Sequence, residues 1–169
     1  MPTVPEPRLV SSWTVWIEYN QRGKLDVDLV RSFLFGICDV SRADLGFLAT
    51  DADYANKNRR VEIKRWGTSE RFVGDDPGKG LPGLYWMNVF GKLYVDWFRA
   101  GLVYRIPATV NEFRADGSVL LQFSDTPEAS ESQAALAMQK AARDILGDDA
   151  FFDIARPDRL LSIPPRLQS

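Results

Sequence analysis

The sequence contains no histidine. That absence excludes Ser-His-Asp and Cys-His nucleophilic machinery and every His-ligated zinc site. Acid–base chemistry would fall to carboxylates, lysine or tyrosine. Cysteine is nearly absent as well. Cys38 stands alone, so neither an intrachain disulfide nor a cysteine-rich metal site can form. It ends the apolar run Phe33–Cys38, where buried packing is a simpler reading than a nucleophile. A lone thiol suits a reducing cytoplasm. No apolar run approaches the roughly 18 residues that a membrane-crossing helix needs. The start "MPTVPEPRLVSSW" has neither the basic first residues nor the apolar stretch of a signal peptide, and residues 1–10 read as a loose arm. A basic excess is also missing: 21 Lys and Arg face 23 Asp and Glu, for a net charge of −2. This argues against general nucleic-acid binding and leaves room for an acidic patch facing a basic partner.

What is present fits one globular domain spanning residues 1–169, with 45% hydrophobic and 26% charged residues. "SSWTVWIEYN" (11–20) alternates as a strand. In the following stretch Val27, Val30, Leu34 and Ile37 recur at helical spacing. "ADLGFLATD" (43–51) reads as a short buried strand, and "RVEIKRW" as an edge strand. "TSERFVGDDPGKGLPG" reads as a loop. "LYWMNVF" (84–90) is apolar on both faces, as a central strand requires, with Leu84, Trp86 and Phe90 expected on one side. The period then changes to 3.6. Leu93, Tyr94, Trp97, Phe98 and Gly101 define one helix face, with Lys92, Asp96 and Arg99 on the other. The aromatic box at 82–102 is therefore expected to be mainly core.

Asp116-Gly117 between β-rich runs predicts a hairpin with a type I′ turn. "TPEASESQAALAMQKAARDILG" predicts a helix capped by Thr126 or Ser130, the latter in a capping box with Gln133. Its inward stripe would be Ala134, Ala137, Met138, Ala141, Ala142 and Ile145, and Gly147 would end it. Phe151 and Phe152 would fold back before an irregular tail at 156–169. The expected fold class is α/β in the α+β sense, a single mixed or antiparallel sheet with helices mainly on one face.

Few residues look like chemistry. Asp51 and Asp53 form D-x-D, with Asp44 nearby and Asp75-Asp76 later. Paired carboxylates can hold a divalent cation, but no further ligand spacing follows, and a solvated turn is the plainer reading. "GDDPGKG" has the glycines and lysine of a phosphate loop without its pattern. "NKNRR" with Lys64 and Arg65 is a local basic cluster in an acidic chain. Glu18 beside Trp16 could carry a raised pKa, and an exposed edge explains it equally. Neither catalytic residues nor a cofactor or metal site is expected.

Three segments together resemble a known group. They are Tyr85, Trp86, Asn88, Phe90 and Gly91; then Leu120, Leu121, Gln122, Asp125 and Pro127; then Leu146, Gly147, Phe151 and Phe152. Over roughly residues 40 to 155 the chain resembles bacterial immunity proteins of polymorphic toxin systems, similar to the immunity protein 52 family. The resemblance implies a non-catalytic cytoplasmic protein that neutralises a cognate toxin by direct contact. Separately, the acidic balance argues against a nucleic-acid partner and the lack of a long apolar run against a membrane partner. A structural or regulatory binding subunit unrelated to toxins, or an enzyme using carboxylates, are the alternatives. If the protein is an immunity protein, the candidate partner face is Glu18, Asp51, Asp53, Tyr54, Asp75 and Asp76, which would suit a basic toxin.

Overall fold

The computed structural model describes residues 25–72, 80–153, 156 and 161–164. The expected strand at 11–20, with Glu18, and the acidic pair Asp75-Asp76 lie outside them. The architecture is α+β. Its centre is a four-stranded antiparallel sheet built from β1 (Leu45–Leu48), β4 (Met87–Phe90), β6 (Val119–Gln122) and β5 (Val110–Phe113), in that spatial order. Strands β2 (Arg59–Lys64) and β3 (Gly67–Phe72) form a separate two-stranded ribbon. The helices are α1 (Val27–Ser41), α2 (Asp51–Asn58), α3 (Lys92–Phe98), α4 (Ala100–Val103) and α5 (Gln133–Leu146).

Strand register sorts the core into two sides. Phe90 pairs with Leu45 and Val119, and Val89 with Gly46 and Leu120. Alternation then places Phe90, Val119 and Leu121 with the helices α3, α4 and α5, in a cluster that includes Tyr94, Phe98, Val103 and Ala142. Met87, Val89 and Leu120 face the other way, under Leu34 and Cys38 of α1. Among the described residues, the helices thus lie mainly on one face, and α1 covers the second. Trp86 departs from expectation. It packs with Met87 and Val89, not with Phe90, because the strand begins only at Met87. Its indole N–H donates instead to the Ser124 carbonyl at 2.8 Å.

α1 starts where Asp26 accepts a bond from the Leu29 amide at 3.0 Å. It lies close to the sheet because Gly46 presents no side chain. A Cβ there would sit 2.6 Å from Cys38 Sγ. Gly46→Ala should therefore cost about 1–3 kcal/mol by overpacking. Adding Cys38→Ala should return most of that loss in urea denaturation; a harmless Gly46→Ala would contradict this packing.

The aromatic helix is broken in two. Arg99 adopts φ 68° between α3 and α4, so Gly101 is exposed instead of inward and Val103 and Ile106 enter the core. Tyr94 and Phe98 are buried as expected, while Trp97 is only partly so. Asn111 closes the end of α4 by donating to the Val103 and Ile106 carbonyls at 3.0 and 3.2 Å.

The hairpin turn also differs from a type I′. Only Gly117 has positive φ (83°) in that loop. Its amide donates to the Arg114 carbonyl, while the Arg114 amide donates to Ser118. This is a type I turn followed by a left-handed glycine, which allows Asp116 an ordinary conformation. The stretch expected as a loop from Thr68 is in fact β3 through Phe72. It is held by backbone pairing to β2 and so shows no apolar alternation.

α5 is rotated from its expected setting. Pro127–Glu131 forms a 3₁₀ turn, and Ser132, not Thr126 or Ser130, caps the helix by accepting from Ala135 at 3.3 Å. The inward residues are Ala135, Gln139, Ala142 and Leu146, with Met138 and Ile145 at the margin. Ala134 and Ala137 face solvent. Gly147 ends the helix as expected. Beyond it, Phe151 is buried and bridges to Leu81.

Candidate functional site

Among the described residues, three places stand out for polar chemistry or exposed apolar surface, beside the exposed stripe Leu29, Phe33 and Val40 of α1. The first lies where α2 meets α5 and the segment before β4. Thr50 caps α2 by accepting from the Asp53 amide at 3.1 Å, which turns the Asp53 side chain inward. One turn later Lys57 meets it, with Nζ 2.5 Å from Asp53 Oδ1. The same ammonium donates to the Leu84 carbonyl at 2.6 Å and to Gln139 Oε1 at 2.8 Å. It also lies over the Tyr85 ring, 5.0 Å from its centre. Asn58 donates to the Tyr85 hydroxyl and to the Tyr54 carbonyl. Burial raises the Asp53 carboxyl above its ordinary range, opposed by Lys57, and burial lowers the Lys57 ammonium, opposed by Asp53.

A cleft of about 450 Å³ opens beside this node, with Lys57, Leu84 and Gln139 in its floor and Lys140 and Arg143 on its wall. Its cations are already engaged: Lys140 with Asp144 at 2.8 Å and Arg143 with Asp148 at 2.6 Å. Lys57 holds three acceptors with three protons. The node therefore ties α2 to the rest of the fold, and it places no free base or nucleophile in the cleft.

The second place is a cleft of about 280 Å³ near the end of α1, with Cys38, Asp39, Arg114 and Asp116 among its lining. Arg114 binds Asp39 through two bonds of 2.8 and 2.9 Å and stacks over Phe35. That guanidinium holds the Asp39 carboxyl below its usual range. Burial, then Asp39, pushes the Cys38 thiol up, which is the opposite of an activated thiolate. Among the described residues, no group of His, Cys, Asp and Glu side chains is arranged to hold a metal ion. No helix among them is long and apolar enough to cross a membrane.

The third place is the β2–β3 ribbon, which the sequence reading treats as an edge strand and a loop. Ile63 is 90% exposed, Trp66 89%, Phe72 50% and Val61 47%. Val61 and Ile63 lie on one side of the ribbon, opposite Glu70 and Thr68. Trp66 sits at the two-residue tip beneath the Arg65 guanidinium, 5.2 Å away. The root is anchored where Phe72 stacks on Tyr54 at 5.4 Å, in an aromatic row continued by Phe47 and Tyr85.

Of the acidic partner face drawn from sequence, Asp51, Asp53 and Tyr54 fall among the described residues. Asp51 is exposed on the first turn of α2. Asp53, expected at the surface, is buried against Lys57, so it offers no charge to a partner. Tyr54 is half-buried in the aromatic row. Glu18, Asp75 and Asp76 lie outside the described residues. The signal available for Asp53 was its spacing: an acid three residues after a capping Thr and four before a lysine places acid and base on one inward face. Comparison with protein-family models, curated proteins and solved structures finds no match.

Proposed function

We propose that this chain is a cytoplasmic, non-catalytic immunity protein that neutralises a cognate bacterial toxin by direct binding. The observation that carries the reading is what the resembling residues do. Tyr85, Trp86, Asn88, Phe90, Leu120, Leu121, Gln122 and Phe151 are all buried while Asp125 is exposed. The buried polar groups bond within the fold: the Tyr85 hydroxyl accepts from Asn58, and Gln122 Oε1 accepts from Arg31 at 2.9 Å. Asn88 accepts from the Tyr85 amide at 3.0 Å and donates to its carbonyl at 2.9 Å. Gln122 donates to the Ser124 carbonyl at 2.8 Å. A motif built of framework residues maintains a scaffold and leaves recognition to the surface.

The test is coexpression. The product of the neighbouring gene should be toxic when expressed in bacteria, and this chain should restore growth and copurify with that product at equal stoichiometry. A neighbour whose toxicity is unchanged by this chain, and which does not bind it, would overturn the reading.

A further inference from the structure

We propose that the β2–β3 ribbon is the docking element, and that it fits an acidic protein surface with an apolar pocket for Trp66. This rests on the immunity reading and names the chemistry of its partner. The sequence from Arg59 to Phe72 carries Arg59, Arg60, Lys64, Arg65 and Arg71 against Glu62 and Glu70, a local net charge of +3 in a chain of net charge −2. Three ion pairs of the ribbon are long, Arg59–Glu70 at 3.8 Å, Arg60–Glu62 at 3.5 Å and Lys64–Glu62 at 3.8 Å, the first exposed and the other two sharing the half-buried Glu62. They leave its field largely intact for a partner.

Charge alone would also suit nucleic acid. The aliphatic row is what favours protein. Val61 and Ile63 have no role against phosphates, whereas an exposed Trp flanked by Arg and aliphatic residues has the composition of an interface anchor. A second copy of the ribbon would bring +3 against +3. The ribbon's partner is thus acidic, whereas the sequence alone suggests an acidic face for a basic toxin.

The experiment uses the full chain and the purified, catalytically inactivated product of the neighbouring gene. Two variants are compared with the parent, Ile63→Ser/Trp66→Ala and Arg60→Glu/Lys64→Glu. Their substitutions lie on exposed or half-exposed side chains, and circular dichroism and melting curves confirm folding. The first should weaken binding about 30-fold or more, mainly through faster dissociation. The second should slow association about tenfold at low salt, with the difference shrinking at 0.5 M salt. Parent affinity in both folded variants would overturn the ribbon while leaving the immunity role standing. Loss of binding on changing Leu29, Phe33 and Val40, the exposed stripe of α1, with the ribbon variants unaffected, would place the interface there. A parent that binds no toxin overturns both readings. Ribbon-dependent binding of a 20-base-pair duplex in place of the toxin, or ribbon-dependent dimerisation of the parent, would also overturn the inference.

Discussion

Phe90→Ala should lower folding stability by about 3–5 kcal/mol, among the largest single effects in the molecule. Phe90 is buried in the central strand, with β1 on one side and β6 on the other. Its ring meets Tyr94 and Phe98 at centroid distances of 6.0 and 5.8 Å. Paired on both edges, the strand cannot move inward to fill the space, so the cavity cost is retained in full. Trp97 makes the useful contrast. It also touches Tyr94 and Phe98, but it is only partly buried, and Trp97→Ala should cost clearly less than Phe90→Ala. Urea denaturation of the two variants checks the order. An unchanged midpoint for Phe90→Ala would refute the assignment of the aromatic box to the core.

That box was legible in the sequence because burial writes itself into periodicity. The run at 84–90 is apolar without alternation, and the next helix separates Tyr94 and Phe98 from Asp96 and Arg99. Legibility ended where backbone geometry or a polar bond decided the outcome. The break at Arg99 carries neither glycine nor proline to announce it. The rotation of α5 follows from burying Gln139, which accepts from Lys57 and donates to the Ser130 carbonyl at 3.3 Å. A glutamine among alanines gives no sign of that. β3 was invisible for a related reason: a ribbon exposed on its apolar side has no core to impose a pattern. The candidate interface was missed on the same ground, since Trp66 and Ile63 are ordinary strand formers in sequence and become unusual only once their exposure is known.

Lys57→Met should destabilise the protein by about 3–5 kcal/mol at neutral pH, because it strands a buried carboxylate and removes the donor to Leu84 and Gln139. Part of this loss should depend on pH. Burial already raises Asp53, the nearby Glu131 raises it further, and Lys57 is the group that lowers it. Without Lys57 the folded-state pKa rises again. A carboxyl with a raised folded pKa costs stability above that pKa and nothing below its unfolded value of 3.8. The deficit relative to the parent should therefore be greatest at pH 7 and narrow as pH falls toward about 4. The remainder, from the orphaned Leu84 and Gln139 acceptors, should stay constant. Asp53→Leu/Lys57→Met removes both charges and should recover most of the stability, as apolar replacements of buried pairs commonly do. Chemical denaturation of the parent, the single and the double variant at pH 7 and pH 4.5 gives all three comparisons. A single variant as stable as the parent, or a deficit unchanged between the two pH values, would show that Asp53 is not held as a buried charge. The double variant also bears on function. If the node is purely a tie between α2 and the fold, the double variant should still bind the proposed toxin partner with parental affinity, since Asp53 and Lys57 bond to each other, to Leu84 and to Gln139, and not to the ribbon's side chains.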